Sequence, residues 1–128
     1  MNLFEPGDHG STFGGNPLAC AVAQAALDVT VSEHLPARAR AAGAKMMAGL
    51  RAIDSPAIAE IRGRGLLIGI ELKFPAKYLS SALLERGVAA KDCRPQVLRI
   101  APPLVIDDAA IAYFLDRFAE ALTAAQTP

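Results

Sequence analysis

The chain has 128 residues, with 13 basic and 13 acidic side chains, a formal net charge of zero and 52% apolar residues. A balanced surface lacks the positive field that draws nucleic acid or anionic lipid, so neither is an expected partner, and the length suits one domain with one modest core. No apolar run approaches the roughly 20 residues that cross a bilayer, and the opening MNLFEPGDHG has no basic segment followed by an apolar stretch, which predicts a cytoplasmic protein.

The first segment with character is GDHGSTFGGNP, residues 7–17, rich in small, hydroxylated and turn-forming side chains. Asn16 is a good N-cap and Pro17 a good first helical residue, and Leu18, Val22, Ala25 and Val29 then recur at helical spacing. A second helix follows from Pro36, with Leu35, Ala39, Ala42, Met46, Leu50 and Ile53 on one face, ending before DSP. The stretch AIAEIRGRGLLIGIELK reads as a hairpin, with strands at 57–62 and 66–73 joined at Gly63 and Gly65, where left-handed backbone angles cost little. Residues 76–86 place Leu79, Ala82 and Leu83 on one face of a short helix that stops at Gly87. VAAKD and QVLRIA predict two more strands around a CRP turn, and Pro102 and Pro103 stop the second. Asp107 can cap a last helix whose Ile111, Phe114, Leu115, Phe118 and Leu122 form a wide apolar stripe.

The order ααββαββα predicts an α+β fold, a small and mostly antiparallel sheet covered on one face by helices. Cys20 and Cys93 are far apart and have no second Cys or His at ligand spacing, so no metal site and no disulfide framework is expected, and both are read as buried free thiols. His9 and His34 have no nucleophile or carboxylate at a telling spacing; the first is read as a loop hydrogen-bonder and the second as a surface residue at a helix junction. GRGLLIG lacks the strand, GxGxxG and helix order of a dinucleotide site and reads as a hairpin turn.

Two places carry possible binding chemistry. Ser11 and Thr12 lie in a glycine-flanked loop ahead of a helix N-terminus, where hydroxyls and backbone N–H groups can hold a phosphate or can close local turns. Strand alternation points Arg99 away from the face of Leu98 and Ile100, either to solvent or toward an anionic ligand. Lys91 lies beside the nearby turn and is read as a solvated charge.

These segments also carry a resemblance. HGSTFGGNPLACAVA resembles the stretch that leads from the large domain into the C-terminal small domain of class III pyridoxal-phosphate aminotransferases. IRGRGLLIGIEL resembles that family's small-domain hairpin, and GVAAKDCRPQVLRIAPPLVI is similar to its final strand pair, in the ornithine aminotransferase branch especially, where Phe usually stands at the position of Ile100. The resemblance implies the small domain of the fold-type I architecture, with residues 1–15 a leader from the large-domain and dimer-interface region and residues 16–128 the small domain. It implies pyridoxal 5′-phosphate as cofactor, with Ser11 and Thr12 reaching the phosphate of a neighbouring subunit, and Arg99 clamping the α-carboxylate of glutamate or 2-oxoglutarate. The implied reaction moves the δ-amino group of ornithine to 2-oxoglutarate in a homodimer.

The family's covalent cofactor lysine belongs to the large domain, and Lys45, Lys73, Lys77 and Lys91 all fall in small-domain elements. The chain is therefore expected to be an inactive C-terminal part that carries no catalytic residue and does not bind the cofactor covalently. Acetylornithine and 4-aminobutyrate aminotransferases share the first two motifs. A free-standing amino-acid-binding or regulatory module is the rival from another class, because small ligand-sensing domains also mix β and α elements at this size.

Overall fold

The computed structural model describes residue 5 and residues 7–125, in two units that divide between His34 and Leu35. The first unit holds an exposed loop and helix α1 (Pro17–Ser32). Asn16 organises the junction from both ends of its amide: Oδ1 accepts from the Ala19 N–H at 2.9 Å, and Nδ2 donates to the Phe13 carbonyl at 2.7 Å. One side chain thus caps the helix and closes the turn before it. The expected apolar face is present on α1, but none of its residues is buried; Leu18, Val22, Leu27, Val29 and Val31 are all exposed. The chain leaves the helix through His34, at φ 52.

The second unit contains α2 (Leu35–Ala52), β1 (Ile58–Arg64), β2 (Leu67–Leu72), α3 (Ala76–Leu84), β3 (Lys91–Arg94), β4 (Val97–Ile100) and α4 (Asp108–Ala125). The order of elements is the one the periodicities predict, and the fold is α+β as expected. The strands form one antiparallel sheet in the order β1-β2-β4-β3. Alternation sorts the two faces. Ile68, Ile70, Leu72, Leu98 and Ile100 point inward, where Met46 and Leu50 of α2, Leu79 and Leu83 of α3, and Ile111, Phe114, Phe118 and Leu122 of α4 bury them. Each such side chain contributes about 1.5–3 kcal/mol through burial, so the core rests on the facing stripes of three helices. The Asp107 carboxylate accepts from the Ala110 N–H at 2.8 Å and caps α4 as its sequence position predicts.

Three local expectations are corrected. The first hairpin turns at Gly65 and Leu66, with Gly65 at φ 57, while Gly63 stays in strand pairing opposite Ile68. The third strand begins at Lys91 rather than Val88, because the Ala90 carbonyl accepts a hydrogen bond from the Ser80 hydroxyl at 2.9 Å and so ties this stretch to α3. Its turn falls at Pro95 and Gln96. Cys20 and Cys93 are exposed, not buried. Cys20 lies on a helix with no buried residue. Cys93 sits on the short edge strand, where its thiol donates to the Val97 carbonyl at 3.7 Å.

Candidate functional site

The loop before α1 is built from turns. Gly7 and Gly15 have φ of 104 and 76, angles that side-chain-bearing residues rarely adopt. Gly14 packs so closely on Ser11 that a Cβ there would lie 2.9 Å from both Cβ and Oγ of Ser11. Its glycine therefore leaves room for the Ser11 hydroxyl. Ser11 and Thr12 are both exposed, as are His9 and His34. The donors gathered here are neutral hydroxyls and turn N–H groups ahead of a helix start. Short hydroxyl and backbone N–H donors of this kind can hold a phosphate.

The second candidate region lies on the open face of the sheet. Leu98 is fully buried and Ile100 nearly so, while Arg99 between them is exposed, on the face away from the core. The register places Arg62, Gly69, Arg99 and Lys91 in a single row across all four strands, Arg62 opposite Gly69, Gly69 opposite Arg99, and Arg99 opposite Lys91. Gly69 leaves the surface beside Arg99 without a side chain.

The two arginines of this row differ in what they hold. Arg62 Nη1 contacts Glu71 Oε2 at 2.6 Å and Glu60 Oε2 at 2.8 Å, and the Glu71 hydrogen bond is the largest influence raising its pKa above the ordinary guanidinium value. Arg62 is committed to its own sheet. No carboxylate among the described residues pairs with Arg99. Its planar fork stays available for a bidentate anion. Arg99 also lines a recess of about 220 Å³ with Ala89, Ala90, Lys91 and Ala101. Lys91 retains 70% side-chain exposure, with Nζ 3.4 Å from the Asp92 carboxylate.

The chain matches the family described as aminotransferase class-III over residues 1–122. It belongs to the class-III aminotransferases. Among its relatives in this family is ornithine aminotransferase 2 of Staphylococcus saprophyticus, 50% identical over 117 residues that make up 91% of this chain and 30% of the relative. Solved class-III structures agree in fold. The ornithine aminotransferase of Toxoplasma gondii superposes with a TM-score of 0.85 at 42% identity, covering 97% of this chain and 31% of that one. The acetylornithine aminotransferase of Elizabethkingia anophelis gives a TM-score of 0.84 at 37% identity, over 97% of this chain and 34% of that one. The chain thus spans about a third or less of the length of these class-III aminotransferases.

Periodicity could not reveal the row through Gly69 and Arg99, nor the capture of Arg62 by Glu71. The row depends on β2 lying beside β4, a neighbour 30 residues away in sequence, and the Arg62–Glu71 contact on the register of the β1–β2 hairpin; only the loop positions Ser11 and Thr12 and the alternation at Arg99 left a local signal. Among the described residues, no helix is long and apolar enough to cross a membrane, and no group of His, Cys, Asp or Glu is gathered as a metal site.

Proposed function

We propose that this chain is the C-terminal portion of an ornithine aminotransferase, with residues 1–15 a leader toward the large domain and dimer interface and residues 16–128 the small domain. In this reading the whole enzyme is a cytoplasmic homodimer that transfers the δ-amino group of ornithine to 2-oxoglutarate, giving glutamate semialdehyde and glutamate. The observation that carries it is the guanidinium of Arg99, open to a ligand on the uncovered face of the sheet while the neighbouring Arg62 is taken by Glu60 and Glu71. The ornithine assignment is supported by a 50% identical relative of that name.

Pyridoxal 5′-phosphate, when bound, supplies the electron sink that amino transfer needs. The residues of this chain bind and orient. Ser11 and Thr12 donate to the phosphate of the neighbouring subunit, and the turn glycines let the backbone approach it. Arg99 holds the α-carboxylate of glutamate or 2-oxoglutarate in its fork, and Gly69 beside it leaves the approach open. None of Lys45, Lys73, Lys77 and Lys91 matches the family's cofactor lysine, so the covalent step is assigned to a part of the protein beyond these residues. The exposed apolar side chains of α1 fit a helix that is covered in the assembled enzyme.

The test of the reaction is a panel of amino donors given to the complete enzyme with 2-oxoglutarate. Ornithine is expected to exceed N-acetylornithine and 4-aminobutyrate in kcat/KM by at least about tenfold, a difference of about 1.4 kcal/mol in transition-state binding. A preference for either competitor overturns the ornithine assignment. The cofactor role has its own test. Thr12→Val in the complete enzyme is expected to weaken cofactor retention by about 1.5–3 kcal/mol for each charge-assisted hydrogen bond lost, with substrate preference unchanged. Cofactor dissociation followed by absorbance checks this, and parental retention in the variant removes Thr12 from the phosphate site.

A further inference from the structure

The open sheet face carries a second cation that the proposed reaction has not used. Lys91 stands directly opposite Arg99 on neighbouring antiparallel strands, and the two side chains share one recess whose remaining lining is Ala89, Ala90 and Ala101. Like charges placed directly across a strand pair repel each other. An anion seated between them relieves that repulsion, and three alanines leave room for it. Asp92, 3.4 Å from the Lys91 ammonium, offsets part of the charge, but Lys91 is 70% exposed and its long stem is able to swing from that carboxylate into the recess.

We propose that Lys91 is a specificity-determining residue that works with Arg99 to favour a doubly negative acid over a positively charged amino acid. The inference rests on the function proposed above. Arg99 provides the oriented fork; Lys91 provides a point charge beside it. At neutral pH 2-oxoglutarate carries two negative charges and ornithine a net positive one, so one ammonium attracts the first and repels the second. The sign of its effect is therefore opposite for the two half-reactions, which a loss of folding or of general activity would not reproduce. The recess is open to solvent, so the effect is that of a screened, exposed charge.

The experiment compares Lys91→Gln, Lys91→Arg and the parent in the complete enzyme. In low salt Lys91→Gln is expected to raise KM for 2-oxoglutarate about threefold to fivefold, the range of an exposed ion pair, while KM for ornithine stays level or falls. The difference should shrink near 0.5 M salt, and Lys91→Arg should restore most of it. A second readout uses binding alone: nuclear magnetic resonance titration with glutarate and with butyrate, in which Lys91→Gln should weaken glutarate more than butyrate. An unchanged KM for 2-oxoglutarate, equal rises in both KM values, or equal weakening of the two acids overturns the role of Lys91. If Arg99→Lys impairs the 2-oxoglutarate half-reaction and Lys91→Gln does not, only this inference fails. If neither variant does, the carboxylate site itself is wrong.

Discussion

Arg99→Lys in the complete enzyme is expected to slow the half-reaction with glutamate or 2-oxoglutarate by roughly tenfold to a hundredfold, the loss of about 1.5–3 kcal/mol that accompanies one hydrogen bond to a charged group. The substitution keeps the positive charge, so the loss isolates geometry. A guanidinium presents two parallel N–H groups to the two oxygens of a carboxylate, and an ammonium cannot. The backbone at this point is well held: Arg99 pairs with Gly69 on one side and Lys91 on the other, and its neighbours Leu98 and Ile100 are anchored in the core. The variant should therefore fold normally, and cofactor retention should match the parent, because Ser11 and Thr12 lie in the other unit of the chain. Ornithine should be affected less, since in the proposed reaction its carboxylate is not the one in the Arg99 fork. Single-turnover rates for each half-reaction, measured beside cofactor dissociation, check the pattern. If Arg99→Lys loses cofactor while turning over 2-oxoglutarate normally, Arg99 is not the carboxylate clamp.

Much of this fold was legible because its signals are local. Asn16 and Asp107 mark helix starts through side-chain caps that form within three residues, and the 3.6-residue stripe from Ile111 to Leu122 needs only one helix to be seen. Alternation around Arg99 placed it on the open face from its two neighbours alone. The failures share a different origin. The start of β3 was decided by a hydrogen bond from Ser80, ten residues upstream, and the exposure of Cys93 by its place on a sheet edge. The surroundings of Arg99 depend on strand order, because Gly69, Arg62 and Glu71 reach that face from a different hairpin. Composition and periodicity report what a residue does within its own element; they are silent on which element lies next to it.

The same limit gives opposite answers for two glycines of α2, and Gly43→Ala is expected to destabilise the fold by about 2 kcal/mol or more. Helix propensity alone predicts the reverse, a gain of about 1 kcal/mol from removing an interior glycine. Packing decides against it. Gly43 is buried, and a Cβ there would overlap the carbonyl group of Gly65 and lie 2.8 Å from its Cα. Those are backbone atoms, so no rotamer change relieves the contact. Gly65 cannot retreat easily: it holds the left-handed turn at φ 57, and the strands it joins are paired from Arg64 and Leu67 onward. Moving α2 instead would lift Met46 and Leu50 from the core. Ordinary overpacking costs about 1–3 kcal/mol and occasionally more; where backbone meets backbone, as here, the cost sits at or above the top of that range, about 3 kcal/mol, which leaves a net loss of about 2 kcal/mol after the propensity gain. Gly49→Ala is the control. Its new methyl would meet the Cδ atoms, and less closely Cγ, of the half-buried Leu115 side chain, which can turn aside, so the two terms should nearly cancel. Denaturant midpoints of the two variants, read beside amide exchange in α2, separate the cases. A Gly43→Ala protein as stable as its Gly49→Ala counterpart would show that the β1–β2 turn yields to the helix, and that the close approach of Gly43 to Gly65 is not required.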